Sequence, residues 1–141
     1  MDCLAEITGH WNISPEKVRS DLEIAGSPER CEDRTVIEDR TGRLFILEKI
    51  SPPAVAHRTR ISEMLNHLKG RGINCICPYM TDRRGSFVAD HNEGFWQMSP
   101  YMDGTGLVRP DYVADGWRGA AMADFLAALR TASADMQSYR N

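Results

Sequence analysis

The chain alternates between segments of strand-like and helix-like hydrophobic spacing, and the change of spacing predicts the order of its elements. Residues 31–38 and 43–50 are predicted as the strands of a hairpin, because Asp39–Gly42 is a polar turn between them. Helical spacing follows from Ala54 to Gly70 and again over residues 116–139. The apolar stripe of the last helix consists of Met122, Phe125, Leu126, Leu129 and Met136.

Three further short strands are predicted at residues 73–76, 85–89 and 94–99, the last two as a hairpin around residues 90–93. Near the N-terminus, Ser14 as N-cap, Pro15 in the first helical position and Glu16 in the first turn predict a short helix that runs to about residue 23. The resulting order predicts an α+β fold with a five-stranded antiparallel sheet and one helix packed across it.

The strand at residues 43–50 carries a nearly continuous apolar run that ends in the charged pair Glu48-Lys49. Such a run predicts a strand that is buried on both faces. The charged pair at its end is the first candidate for chemistry in the chain.

Composition limits the classes of function. The chain has 141 residues, 42% of them hydrophobic and 26% charged, which suits one domain or one lobe of a larger protein. A net charge of -3 disfavours partners such as nucleic acid or an acidic membrane surface. The sequence shows neither a membrane-spanning run nor the features of a signal peptide, so we expect a cytoplasmic location.

The four cysteines predict no metal site. Cys75 and Cys77 form a C-x-C pair, which has the wrong spacing for a redox motif and is only half of a metal site. We expect reduced thiols that serve as small core side chains.

Several segments together resemble the aminoglycoside phosphotransferase and homoserine-kinase-type family, which has the protein-kinase-like fold. The resemblance covers roughly residues 30–136 and lies in Thr41–Leu47, Glu63–Leu68, Gly72–Pro78, Phe95–Gly104 and Met122–Leu129. It implies that residues 1–99 form a kinase-like N-terminal lobe, residues 100–115 a hinge, and residues 116–141 the first helix of a truncated C-terminal lobe.

The resemblance implies that ATP and Mg bind to the full-length protein, with the adenine ring held by backbone groups of the hinge. By position, these are the carbonyl of Ser99 and the amide of Tyr101. An ordinary strand end followed by a loop is the alternative interpretation of the same residues.

Lys49 and Glu63 are the candidates for the lysine that holds the nucleotide phosphates and the helix glutamate that orients it. The register of the sequence does not support this assignment. When the apolar positions are aligned with those usual in the family, Glu48 stands in the place of the lysine and Ile61 in the place of the glutamate. Either a bulge returns Lys49 to the cleft, or the lobe lacks this pair and Lys49 is a solvated strand-end residue.

The loop over the phosphates would be Gly26–Arg30, which has one glycine and is not a glycine-rich cradle. Arg30 or Arg34 would then compensate, or would be exposed hairpin arginines.

No residue of this chain is predicted to be catalytic or to bind a metal, because the sequence contains no His-x-Asp loop. The expected function is therefore that of a nucleotide-binding lobe. The full protein would transfer a phosphate from ATP to a hydroxyl of an aminoglycoside, homoserine or a similar metabolite. The alternative is a non-catalytic kinase-fold module for binding or self-association, in which the exposed terminal helix forms a homo-oligomer.

Overall fold

The fold comes from a computed structural model, which describes residues 2–24, 31–74, 76–102 and 116–136. Within these ranges three α-helices and five strands are formed. In chain order they are α1 (Asp2–Thr8), β1 (Pro15–Val18), β2 (Asp33–Asp39), β3 (Leu44–Ile50), α2 (Val55–Gly70), β4 (Ala89–His91), β5 (Gly94–Pro100) and α3 (Gly116–Ala132). Short 3-10 helices follow α1 at Gly9–Trp11 and precede α2 at Pro52–Ala54.

The five strands form one antiparallel sheet in the order β1-β2-β3-β5-β4. The α+β class, the number of strands and the helix that follows β3 are therefore confirmed. The central strand, β3, pairs with β2 on one side and β5 on the other, so the chain returns to β3 after α2.

The predicted helix at residues 15–23 is wrong, because Pro15–Val18 is the edge strand β1. An N-cap and an N1 proline favour a helix by only about 1 kcal/mol, and pairing with β2 outweighs this preference. Pro15 is tolerated because it is the first residue of an edge strand. The helix of this region is instead α1, which lies upstream at Asp2–Thr8.

The strand predicted at residues 73–76 is not among the described strands. The fifth strand of the sheet is β1 instead. The amide of Ile73 donates to the carbonyl of Leu68 at 3.1 Å, and Ile73 is buried, so the segment closes the end of α2. Gly72 makes this turn possible with a φ of 90°.

The predicted strand at residues 85–89 is shorter in the structure, where β4 begins at Ala89. The cause is Asp82, whose carboxylate accepts the amides of Arg84 and Ser86 at 2.9 Å each and so folds the segment into turns. The hairpin itself is confirmed. Asn92 and Glu93 connect β4 to β5 with φ values of 49° and 63°.

One apolar cluster covers one face of the sheet, and we call this face the α1 face. It joins α1 and the residues after it to alternate residues of β2, β3, β4 and β5: Ile7, Trp11, Ile13, Ile37, Phe45, Leu47, Ala89 and Met98. Strand β3 is not fully buried on both faces as predicted, since Phe45, Leu47 and Ile50 are buried, whereas Leu44, Ile46, Glu48 and Lys49 are only partly buried.

The second apolar cluster joins α2 to α3 and contains Leu68, Ile73, Ala132 and Met136, with Phe125 and Leu129 packed against it. The predicted stripe of α3 is therefore divided. Met122 and Leu126 are exposed, because the cluster contacts only the other flank of the helix. No helix in the described ranges has both the length and the apolar character needed to cross a membrane.

Candidate functional site

The face of the sheet that α2 covers, called here the α2 face, carries polar side chains at its centre. Glu48 of β3 lies directly opposite Gln97 of β5, so both point to the same face. Each reaches α2: Glu48 pairs with Arg58, and Gln97 bonds to Ser62. Arg58 and Ser62 are four residues apart, which puts them on one side of the helix.

Glu48, Arg58 and Tyr79 form a closed group of three side chains. Nη1 of Arg58 donates to the hydroxyl of Tyr79 at 2.8 Å and lies 3.4 Å from Oε2 of Glu48. The Tyr79 hydroxyl donates to Oε1 of Glu48 at 3.3 Å. The two charged side chains are only 11% and 14% exposed, so the pair is screened less than a surface pair would be.

Burial is the main cause of the shifted pKa values of Tyr79 and of the neighbouring Cys31. Burial, followed by the negative charge of Glu48, raises the pKa of Tyr79 to about 12, so its hydroxyl remains a donor at neutral pH. Burial also raises the pKa of the Cys31 thiol, again with Glu48 as the next cause.

Gln97 lies beside Glu48 on the α2 face and is the second polar side chain there that contacts α2. It is completely buried, and its Nε2 donates to the Ser62 hydroxyl at 2.9 Å. Its Oε1 is buried and has no hydrogen-bond partner within the described part of the chain. The α2 face therefore presents acceptor oxygens at both Glu48 and Gln97.

Lys49 lies on the α1 face, because neighbouring residues of a strand point to opposite faces. It stands opposite Trp96, and its Nζ is 5.8 Å from the centre of that ring and 3.9 Å from the Glu32 carboxylate. Gly94 provides the space for its stem, since a Cβ there would come within 3.3 Å of Lys49 Cε.

The structure does not bring Lys49 and Glu63 together. Glu63 is exposed on α2, and neither an ion pair nor a hydrogen bond joins it to Lys49 in the described ranges. The bulge that would return Lys49 to the α2 face is absent, since β3 pairs with β2 and β5 in unbroken register. Of the two alternatives, the structure therefore has the one without a lysine-glutamate pair.

Ser99 and Tyr101 lie where β5 ends. Ser99 is buried opposite Ile46. The amide of Tyr101 donates to the carbonyl of Leu44 at 3.0 Å, and its hydroxyl donates to the carbonyl of Glu23. A ligand that takes the Tyr101 amide must therefore displace a bond to β3.

The residues of the α2 face do not fit the phosphates of a nucleotide or their metal ion. Phosphate oxygens need donors and positive charge, but β3 offers a carboxylate here and Arg58 is already paired with it. In the described ranges no three His, Cys, Asp or Glu side chains are grouped so as to hold a metal. The proposed phosphate loop Gly26–Arg30, the thiol of Cys75 and most of the 100–115 hinge lie outside the described residues.

The sequence signal for the Glu48–Arg58 pair was present but incomplete. Alignment of the apolar positions already put Glu48 in the place of the lysine. The sequence does not indicate Arg58 as the partner, because helical periodicity alone does not show which helix residue faces a given strand position.

Comparisons with known proteins give a structural match only. No family model and no curated protein matches the sequence. The fold matches an aminoglycoside phosphotransferase from Alicyclobacillus acidocaldarius with a TM-score of 0.59 and 17% identity, over 89% of this chain and 33% of that chain. It also matches the amicoumacin kinase hAmiN, solved in complex with AMP-PNP, Ca2+ and Ami, with a TM-score of 0.53 and 17% identity over 77% of this chain and 33% of that chain.

The chain thus spans about a third of the length of the two phosphotransferases that it matches. At this level of identity the matches show the fold. The five-stranded antiparallel sheet with its helices has a kinase-like fold, as the sequence predicted.

Proposed function

We propose that this chain acts as the nucleotide-binding N-terminal lobe of a small-molecule kinase. In this proposal residues 1–99 form the lobe, 100–115 the hinge and 116–141 the first helix of a C-terminal lobe. The observation that supports it is the match of the fold to two phosphotransferases over a third of their length.

The proposed ligand is ATP with a divalent cation, supported by the AMP-PNP and Ca2+ in the amicoumacin kinase structure. The base would lie at the end of β5, against the backbone of Ser99 and Tyr101. A phosphate would pass from ATP to a hydroxyl of an aminoglycoside, homoserine or a similar metabolite. That step needs residues beyond those of this chain, so the lobe alone would bind without catalysing transfer. Lys49 and Glu63 are kept as positions to be tested.

The first experiment measures the melting temperature of the chain with and without millimolar MgATP or adenosine. A ligand at a hundredfold excess over its Kd stabilises the folded state by about 2.7 kcal/mol, which is easily detected in a domain of this size. The absence of any shift with both ligands would contradict nucleotide binding by the lobe.

Variants at Tyr101 and Lys49 then locate the site. Tyr101→Pro removes the amide and should abolish the ligand-induced shift, while Tyr101→Phe keeps the amide and should retain it. Each shift is taken relative to the variant's own ligand-free melting temperature, because Tyr101→Pro also loses the bond to Leu44. Lys49→Ala with an undiminished MgATP shift would remove that residue from the nucleotide site.

A second candidate function is a non-catalytic module that self-associates, and one specific observation favours it. Met122 and Leu126 are 57% and 55% exposed on adjacent turns of α3, and Trp117 on the same helix is 68% exposed. Exposed apolar side chains grouped in this way mark contact surfaces. Light scattering across a concentration series tests the idea: a wild-type dimer that becomes monomeric in Met122→Lys/Leu126→Lys supports it, and a wild-type monomer throughout rejects it.

A further inference from the structure

We propose that Glu48 determines specificity by acting as a built-in anion for Arg58, which keeps phosphate groups away from the α2 face. The inference rests on the proposed function, because the phosphates in question are those of the nucleotide. It predicts that the lobe holds a nucleotide without a phosphate anchor at this position, so that adenosine and ATP bind with similar affinity.

At Nη1 of Arg58 both N–H groups already have acceptors, so a second anion there would displace one of them. Its Nη1 already serves both the Tyr79 hydroxyl at 2.8 Å and the Glu48 carboxylate at 3.4 Å. Because both charged side chains are nearly buried, a phosphate that approached Arg58 would meet the Glu48 carboxylate in a region of low dielectric. Displacement of Glu48 would in turn leave a buried carboxylate without its partner.

The neighbours of the pair strengthen the exclusion. The acceptor Oε1 of Gln97 is buried on the same face, and phosphate oxygens also only accept hydrogen bonds. Arg34 of β2 stands opposite Glu48 in the sheet, which favours the carboxylate at this position through a cross-strand pair of opposite charge.

Removal of the carboxylate should therefore create an anion site. Glu48→Gln keeps the size of the side chain and its acceptor for Tyr79, but it removes the negative charge that pairs with Arg58. We expect pyrophosphate at millimolar concentration to raise the melting temperature of Glu48→Gln and to leave that of the wild-type chain unchanged, both measured at constant ionic strength. This rise in melting temperature with pyrophosphate should disappear in Glu48→Gln/Arg58→Gln.

Glu38→Gln is the matched control, because Glu38 of β2 also pairs with an arginine of the sheet region. Its Oε1 lies 3.1 Å from Nη1 of Arg19, and Arg19 keeps its ion pair with Asp21, so the variant makes the same change of charge without removing the last carboxylate from an arginine. The proposal would be overturned if pyrophosphate raised the melting temperatures of Glu38→Gln and Glu48→Gln equally. It would also be overturned if pyrophosphate stabilised the wild-type chain and this stabilisation were lost in Arg58→Gln.

The affinities of the wild-type chain for ATP and adenosine test the same idea if Glu48→Gln does not fold. In the wild-type chain the Kd values of ATP and adenosine should be similar. A preference for ATP of about tenfold would be the effect of one charge-assisted hydrogen bond to a phosphate group. A wild-type preference for ATP of that size would overturn the inference alone, whereas failure of both ligands to bind wild type would reject the proposed function.

Discussion

Gln97 and Ser62 join β5 to α2 through a hydrogen bond of 2.9 Å between two completely buried side chains. The Ser62 hydroxyl donates onward to the Arg58 carbonyl at 2.7 Å, so it accepts and donates at once. Together with the Glu48–Arg58 pair, this contact fixes α2 on the sheet by polar contacts at two successive turns of the helix.

We predict that Ser62→Ala destabilises the fold by about 1–3 kcal/mol, because a buried amide then loses its nearest acceptor. The remaining acceptor of Gln97 Nε2, the carbonyl of Phe87, lies at 3.4 Å. Urea unfolding monitored by circular dichroism measures the change. Thr131→Ala is the control, since Thr131 is exposed and its hydroxyl donates to the carbonyl of Ala127 in the same helix. A change below about 0.5 kcal/mol in Ser62→Ala, the level typical of surface sites, would contradict the prediction.

A pair of histidines predicts loss of stability in mild acid. Nε2 of His10 and Nδ1 of His91 lie 3.1 Å apart, and Nε2 of His91 is 3.4 Å from a Glu6 carboxylate oxygen. Burial, followed by the charge of His91, lowers the pKa of His10 from 6.5. The unfolded chain therefore binds the proton more readily, and stability falls as the pH drops below about 6.5.

The loop at residues 82–84 modifies the titration of His10. Arg83 and Arg84 lower its pKa further, and Asp82 opposes them. His10→Gln should flatten the fall of melting temperature between pH 7 and 5, whereas the exposed His57→Gln should retain the wild-type slope. Parallel slopes for His10→Gln and the wild-type chain would assign the acid sensitivity to other groups.

The hydrogen bonds of Asp39 lead us to expect a second loss of folding stability at more acidic pH. The hydrogen bond from the Thr41 hydroxyl, at 2.7 Å, and then the amides of Arg43 and Thr41 lower the pKa of its carboxyl to about 2. The stabilisation is therefore complete above pH 4 and is lost as the pH falls towards 2. Asp39→Asn should lower the melting temperature at pH 7 and differ less from wild type at pH 3. The exposed Asp124→Asn serves as control, and a deficit that stays constant with pH would refute this origin.

The β4–β5 turn predicts a stabilising substitution. Asn92 and Glu93 both have positive φ, which two-residue hairpin turns of type I′ require and which glycine adopts most readily at the second position. Glu93→Gly should raise stability by roughly 0.5–1 kcal/mol, since a left-handed residue with a Cβ is strained by about this amount or more. Glu93→Ala keeps the Cβ and should give no such gain in chemical denaturation.

The hairpins and the helix after β3 were predictable because their signals are local. Polar turn residues at Asp39–Gly42 and at residues 90–93 separate apolar segments, and the helical spacing from Ala54 continues to a glycine at residue 70. The first strand was not predictable in this way. Pro15–Val18 carries a good helix start, and only pairing with β2 makes it a strand.

The division of the α3 stripe shows the same limit for packing. Phe125 and Leu129 contact the cluster under α2, while Met122 and Leu126 with equal hydrophobic character are exposed. Periodicity shows that a helix is amphipathic, but it does not show how much of the apolar stripe a neighbour covers.

By itself the sequence determined the α+β class, the hairpins, the position of α2 and the one-residue disagreement between Lys49 and the expected lysine position. Only the tertiary structure decided on which face of the sheet Lys49 and Glu48 lie and which residues they contact. Strand alternation sets Lys49 on the α1 face and Glu48 on the α2 face. The approach of α2 then supplies Arg58 as the partner of Glu48. A contact between residues on different elements depends on how those elements pack, and the spacing along either element does not contain this information.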